Sequence, residues 1–356
     1  MNKVHPYINS PEFSFWDRSI SEKAVGEIDP SKGMESFEIE ANDAVMTMGS
    51  CFAQHVSQRL SKVGLNYLVS ENHPNGEKFN ADGGYGVFTA RYGNIYTIAQ
   101  SLQLLKRCLG ESIQGEIWSY KDSYIDSFRP RAVPGGFSSK EALLVDRQLN
   151  LDSTLIAFKT ANILVFTLGL TEGWMNNETN QIYAIAPGVG GGDYDSKIHL
   201  PFNMSTYDCV SGLNEFLDLL RTINPTVKVI LTVSPVPLAA THTSKHVLTA
   251  TFSSKAKLRV AAEEVAEKNE NVDYFPSFEI IQGLAQSGKY FRHDLREIES
   301  HGVDHVMRVF FNYYYKQKDI RINLPEDQRS VQELTNASII CDEDIFKGIN
   351  KENGIS

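Results

Sequence analysis

The sequence predicts an α/β protein built on a parallel sheet with helices packed against its faces. Two observations predict this fold class. First, short apolar runs alternate with longer segments whose apolar residues recur at helical spacing, which is typical of parallel sheets. Second, residues 163–168 and 227–233 are almost continuously apolar, as strands buried on both faces of such a sheet usually are. Each strand is therefore expected to lead into a helix that returns the chain to the next strand.

The predicted elements follow one another along residues 41–315, which we interpret as one α/β domain. Residues 44–48 form a strand that ends at Gly49, and residues 52–63 then show helical spacing up to a stop at Gly64. The later elements are predicted as a loop at 70–87, a helix at 95–109, a hairpin or irregular insertion at 118–136, a helix at 143–160, a strand at 163–168, a flexible turn at 187–193, a helix at 207–223, a strand at 227–233, a helix at 253–269, a strand at 272–275 and a last helix at 303–315.

Two terminal segments lie outside this alternation. Residues 1–40 contain several prolines with aromatic residues between them, and they predict an irregular arm that packs these aromatics onto the domain. The aromatic residues in question are Tyr7, Phe13, Phe15 and Trp16. Residues 316–356 are polar with several acidic positions, which predicts a partly ordered tail.

Composition and charge argue against several classes of function. The chain of 356 residues has a net charge of -10 and no long Lys/Arg cluster, so a nucleic-acid partner is not expected. No apolar stretch is long enough to cross a membrane and no signal-like segment opens the chain, so we expect no membrane span and a cytoplasmic location. The four cysteines form no Cys-x-x-Cys pair and are interpreted as reduced thiols, with no metal or other cofactor predicted. The sequence does not determine the oligomeric state.

The carboxyl ends of the strands are where ligands of an open parallel sheet bind. The first of these ends carries Gly49, Ser50 and Cys51, which places two nucleophilic side chains at the start of a helix. Unpaired N–H groups and the helix dipole favour negative charge there and lower the pKa of a thiol. This turn is therefore a candidate catalytic site. The simpler alternative is that Ser50 only caps the helix and Cys51 fills the core.

The second strand end also has residues suited to catalysis. Gly169 allows a substrate to approach the backbone, Thr171 can donate to an oxyanion, and Glu172 can orient a base or hold a sugar hydroxyl. The alternative is an ordinary turn that leads into the next segment. After the third strand end come His242 and His246, and imidazole is the side chain best suited to general-base catalysis at neutral pH.

At these positions the sequence resembles the GSCFA family, whose name is the pentapeptide that stands here at residues 49–53. The resemblance covers about residues 1–315, and its further blocks are residues 92–97, 167–174, 234–238 and 274–279. It implies the three-layer α/β/α, flavodoxin-like fold of the SGNH (GDSL-like) hydrolase superfamily. It also implies a nucleophile after the first strand, for which both Ser50 and Cys51 remain candidates.

The resemblance further implies oxyanion donors and a catalytic base. Gly93 and Asn94 match the second block of the superfamily, and Thr171 stands where an Asn donor is usual. The final Asp-x-x-His block begins at Asp294, but Glu297 occupies the place of the histidine. We therefore assign the base to His305, oriented by Asp304 or Asp294, with His246 as the second candidate.

The resemblance favours an enzyme that acts on an ester bond of a polar, acylated small molecule, with a carbohydrate as the favoured substrate. Water as the acceptor would make the protein an esterase, and a sugar hydroxyl would make it an O-acyltransferase. Trp118, Trp174 and the many tyrosines are suited to stacking on sugar rings. The alternative is a noncatalytic carbohydrate-binding member of the family, because the usual histidine is missing.

Overall fold

A computed structural model describes residues 5–34, 36–76, 84–315, 339 and 341–345. The strands are β1 (Val45–Gly49), β2 (Ile117–Tyr120), β3 (Ser123–Asp126), β4 (Ile163–Leu168), β5 (Glu172–Asn176), β6 (Ile182–Tyr183), β7 (His199–Asn203), β8 (Lys228–Val233) and β9 (Val272–Tyr274). The helices are α1 (Phe52–Lys62), α2 (Ile98–Cys108), α3 (Lys140–Thr160), α4 (Thr206–Ile223), α5 (Val247–Glu267), α6 (Ser277–Gln282) and α7 (Ser300–Tyr314).

The central sheet is parallel and has the strand order β1-β4-β8-β9. Its register pairs Gly49 with Thr167, and Thr167 in turn with Thr232. The carboxyl ends of β1, β4 and β8 therefore meet at one edge of the sheet, which is the edge where ligands of such folds bind.

Helices cover both faces of this sheet, because the side chains of each strand alternate between two cores. In β4, Leu164 and Phe166 face a core completed by residues of α2, α3, α4 and α5. Ile163 and Val165 face the opposite core, which α1 and α7 complete. The predicted α/β fold, with a parallel sheet between two helical layers, is thus confirmed.

The predicted elements of the domain are confirmed with shifts at some ends. Helix α2 begins at Ile98 because the Thr97 side chain accepts from the Gln100 N–H and caps it. Helix α5 begins six residues before its predicted start, where His246 provides the cap. The hairpin of β2 and β3 falls within the predicted insertion. The sequence analysis missed α6 and the antiparallel sheet β6-β5-β7, whose strands are short and partly exposed.

The N-terminal arm contains short 3-10 and π turns, in agreement with an irregular segment. Its aromatics do not pack as predicted, since Tyr7, Phe13 and Trp16 are largely exposed. Ile28 and Ile39 are the buried apolar residues in the described part of the arm instead, and Ile39 belongs to the core that α7 completes. Most of the predicted tail, residues 316–338, 340 and 346–356, lies outside the described residues.

Candidate active site

The turn between β1 and α1 depends on a glycine. Gly49 has a φ of +132°, and a Cβ atom there would overlap the backbone of Thr167 on the neighbouring strand. Because Gly49 has no side chain, the turn can lie close to the end of β4, where the Ser50 N–H donates to the Thr167 carbonyl at 3.1 Å. This contact fixes the position of Ser50 at the edge of the sheet.

The Ser50 hydroxyl is buried without a hydrogen-bond partner among the described residues. The residue is 3% exposed, and it does not cap α1, because the capping position is Cys51 and no side chain caps this helix. The simpler alternative for Ser50 therefore does not hold. A buried, unpaired hydroxyl costs about 1–3 kcal/mol, so its presence calls for a functional explanation.

Cys51 lies at the start of α1 with its thiol against that of Cys341. A hydrogen bond with Cys341 raises the pKa of Cys51 well above its ordinary value, and burial raises it further. These effects outweigh the helix N-terminus, which would lower the pKa of an exposed thiol. In this arrangement Cys51 is a protonated thiol and a poor nucleophile.

Asn94 belongs to a loop that is tied to the Ser50 turn. The Ile95 N–H donates to the Gly49 carbonyl at 2.7 Å. The Gln54 side chain donates to Asn94 Oδ1 at 2.9 Å, which fixes the amide so that its Nδ2 donates to Asp342 at 2.8 Å. The amide is thus oriented as a donor toward Asp342. Gly93 lines the same small cavity as Asn94 and Asp342.

Gly169 packs directly against the nucleophile turn. A Cβ atom on Gly169 would lie 3.1 Å from Ser50 Cβ and 2.8 Å from the Tyr96 carbonyl, so a larger residue would displace both neighbours. The Leu170 N–H donates to that same carbonyl at 2.7 Å. The close neighbours of Gly169 are thus residues of this chain, and their packing joins the β4 end to the Ser50 turn, while the expected approach of a substrate stays a prediction.

Thr171 does not have the environment of an oxyanion donor. It is fully buried, and its hydroxyl bonds to Asn203 Oδ1 at 2.9 Å and to Ser254 Oγ at 3.1 Å. These partners hold the hydroxyl inside the packing between β7 and α5. The expected role of Thr171 is thus corrected to a structural one.

A buried lysine, Lys255, lies beside Gly169 and was not predicted from the sequence. Lys255 on α5 is 1% exposed, and its Nζ donates to the Gly169 carbonyl at 2.7 Å. Burial lowers the pKa of its amine to about 7, since a low-dielectric environment disfavours the charged form. No local motif marks Lys255, because it lies within an ordinary helical pattern and only the fold places it next to Gly169.

His305, the histidine predicted to be the base, forms hydrogen bonds away from the Ser50 turn. His305 is 2% exposed, with Nδ1 bonded to the Tyr290 hydroxyl at 2.7 Å and Nε2 bonded to the Ile28 carbonyl at 2.8 Å. Its intended partner Asp304 forms an ion pair with Arg59. Both ring nitrogens hold structural contacts, so His305 is not available to accept a proton from Ser50 in this structure.

The other two residues proposed for the base are also used locally. His246 is exposed, and its Nδ1 accepts the Leu248 N–H at 3.2 Å as the cap of α5. Asp294 accepts the N–H groups of Arg296 and Glu297 in the turn that precedes α7. The contacts named here are local to the start of α5 and to the turn before α7.

A second cavity, of about 270 Å³, is lined by residues that follow β4, and Ser50 is not among its lining residues. Trp174 and Tyr96 line it, together with Glu172 and His242. His242 Nδ1 lies 3.1 Å from Glu172 Oε2, so the carboxylate contacts one of the two histidines that follow the third strand end. Trp174 stands edge-on to this imidazole, with ring centroids 5.7 Å apart. The cavity thus combines aromatic walls with polar groups.

Residues 341–343, here called the C-terminal segment, lie across the Ser50 turn. Asp342 accepts from Asn94 Nδ2 and from the Tyr96 hydroxyl, the latter at 3.1 Å. Glu343 forms an ion pair with Arg296. Burial raises the pKa of both carboxyl groups above their ordinary values. The C-terminal segment therefore contacts Cys51, Asn94 and Arg296 around the Ser50 turn.

Comparison with known proteins places the chain in a family. The model of the GSCFA family matches residues 44–310, which is most of the chain. An acetyl esterase mutant solved with an acetate ion is 11% identical, with 83% of this chain and 100% of that chain covered and a TM-score of 0.28. An acetyl xylan esterase from Butyrivibrio proteoclasticus is 12% identical, with 68% and 57% covered and a TM-score of 0.23. No curated protein matches. On the extent of the family match, the chain belongs to the GSCFA family.

Proposed function

We propose that the protein is a hydrolase-type enzyme that cleaves or transfers an acyl group at an ester bond, with Ser50 as the nucleophile. The observation that carries this proposal is the buried, unpartnered Ser50 hydroxyl at a strand-to-helix turn that Gly49 holds in place. Gly169 packs closely against it, and the oriented Asn94 amide lies on the adjoining loop. A nucleophile with nearby amide donors is what acyl transfer requires.

The proposed reaction has two steps. Ser50 Oγ attacks the ester carbonyl carbon, and the leaving alcohol departs with the serine proton, so that an acyl-enzyme forms. Water or a second hydroxyl then attacks the acyl group and releases Ser50. The Phe52 N–H and the Asn94 amide are assigned to the oxyanion, because the next N–H groups of α1, those of Ala53 and Gln54, already donate to the Ser50 and Cys51 carbonyls.

We assign the proton transfer to Lys255 rather than to an imidazole. With a pKa of about 7, a large share of this amine is neutral at physiological pH and can accept the serine proton. Its Nζ donates a hydrogen bond to the carbonyl of Gly169, the residue that packs against Ser50. The amine reaches the hydroxyl by leaving that carbonyl or through one water molecule.

The adjoining cavity supports a small polar substrate, and we favour a carbohydrate ester. Trp174, Tyr96 and Tyr183 offer aromatic surfaces for a sugar ring, and Glu172 offers a carboxylate for its hydroxyls. Its volume of about 270 Å³ suits a group of roughly one sugar ring.

Labelling with a fluorophosphonate tests the nucleophile. We expect the wild type and Cys51→Ala to be labelled, and Ser50→Ala to be unlabelled, with hydrolysis of p-nitrophenyl acetate following the same order. Ser61→Ala is the matched control, because Ser61 lies on the same helix and only bonds the Ser57 carbonyl. Labelling that survives in Ser50→Ala would contradict the assignment.

A noncatalytic carbohydrate-binding protein is the second candidate, and the engagement of both His305 nitrogens favours it. This candidate predicts that no variant, including Asp342→Ala with its weakened C-terminal segment, reacts with the phosphonate. It also predicts that a Trp174→Ala substitution reduces sugar binding while Ser50→Ala leaves it unchanged.

A further inference from the structure

Two thiols from distant parts of the chain meet at the candidate site. Cys51 opens α1, Cys341 belongs to the C-terminal segment, and their side chains share a hydrogen bond. They are 6% and 8% exposed, and both are present as thiols. Cys108 and Cys209, by contrast, belong to the core on the other face of the sheet.

The surroundings of this pair suit oxidation. Both thiols line a cavity of about 410 Å³, which a molecule as small as hydrogen peroxide can enter. Arg296 Nη2 lies 3.9 Å from Cys341 Sγ. A guanidinium beside a sulfur favours its thiolate form, and the thiolate is the form that reacts with peroxides.

We propose that Cys51 and Cys341 are a site of reversible disulfide formation, which ties the C-terminal segment covalently to the start of α1. The Cys341 thiolate attacks one peroxide oxygen, the O–O bond breaks, and the sulfenic acid of Cys341 and one water are formed. Oxidation of Cys341 removes the thiol whose hydrogen bond raises the pKa of Cys51. Cys51 then attacks the sulfenic sulfur, its proton goes to the leaving hydroxyl, the S–S bond forms, and a second water departs. The two thiols lose two electrons and two protons, and the peroxide is reduced to water.

The bond would keep the candidate site closed. Asp342 already accepts a hydrogen bond from the Asn94 amide, and Glu343 already forms an ion pair with Arg296. The disulfide therefore fixes an arrangement that exists in the thiol form. Cys51 is adjacent to Ser50, and a covalent link at this position holds the segment over the nucleophile. This consequence rests on the proposed function, whereas formation of the disulfide does not.

The disulfide is tested on the full-length protein. Reduced protein is treated with hydrogen peroxide, quenched and analysed by intact mass and by peptide mapping without reduction. We expect a mass lower by two hydrogen atoms and a Cys51–Cys341 linked peptide, both reversed by dithiothreitol. Cys108→Ser is the matched control and should form the same link, whereas Cys341→Ser and Cys51→Ser should not. Oxidation without this link, or a link between other cysteines, would overturn the proposal.

The closing effect is tested separately with the fluorophosphonate. Oxidised wild type should lose labelling at Ser50 and regain it on reduction, while peroxide should leave the labelling of Cys341→Ser unchanged. Full labelling of the linked protein would overturn the closing effect while the disulfide itself stands. Absence of labelling in the reduced protein would count against Ser50 as nucleophile, and the mass measurement would still decide the disulfide.

Discussion

Lys255 has an unusual environment for a lysine, because its amine is buried inside the protein. Its amine has a neutral carbonyl as its hydrogen-bond acceptor, and burial brings its pKa from 10.5 to about 7. A lysine held this way lowers stability, because the folded state binds its proton less tightly than the unfolded state. Between pH 7 and 10.5 the unfolded chain holds more protons, so this contribution makes the free energy of unfolding rise with pH. Such destabilised groups cluster at functional sites.

The proposed role of Lys255 predicts a pH profile. The rate of Ser50 labelling should rise as the pH increases through about 7, because only the neutral amine accepts a proton. Lys255→Met should lower the rate by about a hundredfold or more and remove this rise. It should also flatten the pH dependence of the free energy of unfolding above neutral pH.

Two further variants separate catalysis from packing at this position. Lys255→Arg should remain slow, because an arginine keeps the charge and stays protonated. Lys257→Met, two residues along the same helix, removes a lysine that bonds Asn203 and the Met204 carbonyl and should leave the pH profile unchanged. A normal profile in Lys255→Met would show that the residue only supports the Gly169 carbonyl.

At the scale of elements, the strand-to-helix turn depends on Gly49. Gly49→Ala would force a side chain into the Thr167 backbone at a φ that such residues rarely adopt. We expect the free energy of unfolding to fall by roughly 3 kcal/mol, measured by urea denaturation. Gly64→Ala is the matched control: its φ is +74° but its surroundings are open, so the loss should be about 1 kcal/mol. Equal losses in the two variants would contradict a steric role for Gly49.

The elements that the sequence predicts well are those with a local pattern. Strand β4 is a continuous apolar run, and α1 follows a glycine and repeats its apolar residues at helical spacing, so both could be placed from the residues alone. The same holds for the Ser50 turn, because a strand end followed by a helix start is a local feature. The short strand β6 has only two residues and no such pattern.

The parts of the site that were missed depend on contacts between distant residues. His305 has a favourable position in the sequence, but Tyr290 and Ile28 occupy its ring nitrogens, and neither partner can be inferred from spacing. Lys255 looks like any other helical lysine until the fold places it on Gly169. Cys341 lies in a polar stretch that predicts a tail, and only its contact with Cys51 shows its importance.

At the scale of the whole molecule, charge is distributed unevenly around the candidate site. The chain has a net charge of -10, yet the described site contains Lys255 and Arg296. The C-terminal segment brings Asp342 and Glu343 against these cations and the Asn94 amide. Since burial raises the pKa of both carboxyl groups, burying their charged forms costs free energy that disappears when they are protonated. We therefore expect the segment to bind more tightly as the pH falls through these raised pKa values.

Asp342→Ala tests whether the segment controls access to the site. The substitution removes the side-chain bonds to Asn94 and Tyr96 and leaves only the backbone N–H bond to the Tyr96 hydroxyl, so the segment should leave the Ser50 turn more often. Hydrogen bonds to charged groups contribute about 1.5–3 kcal/mol, so alkylation of Cys51 by iodoacetamide should accelerate by roughly tenfold or more. Departure of Cys341 also removes the hydrogen bond that raises the Cys51 pKa, which acts in the same direction.

Glu270→Ala, at an exposed position between α5 and β9, removes the same charge and should leave the rate unchanged. An Asp342→Ala protein that reacts no faster than the wild type would show that these contacts do not limit access to Cys51.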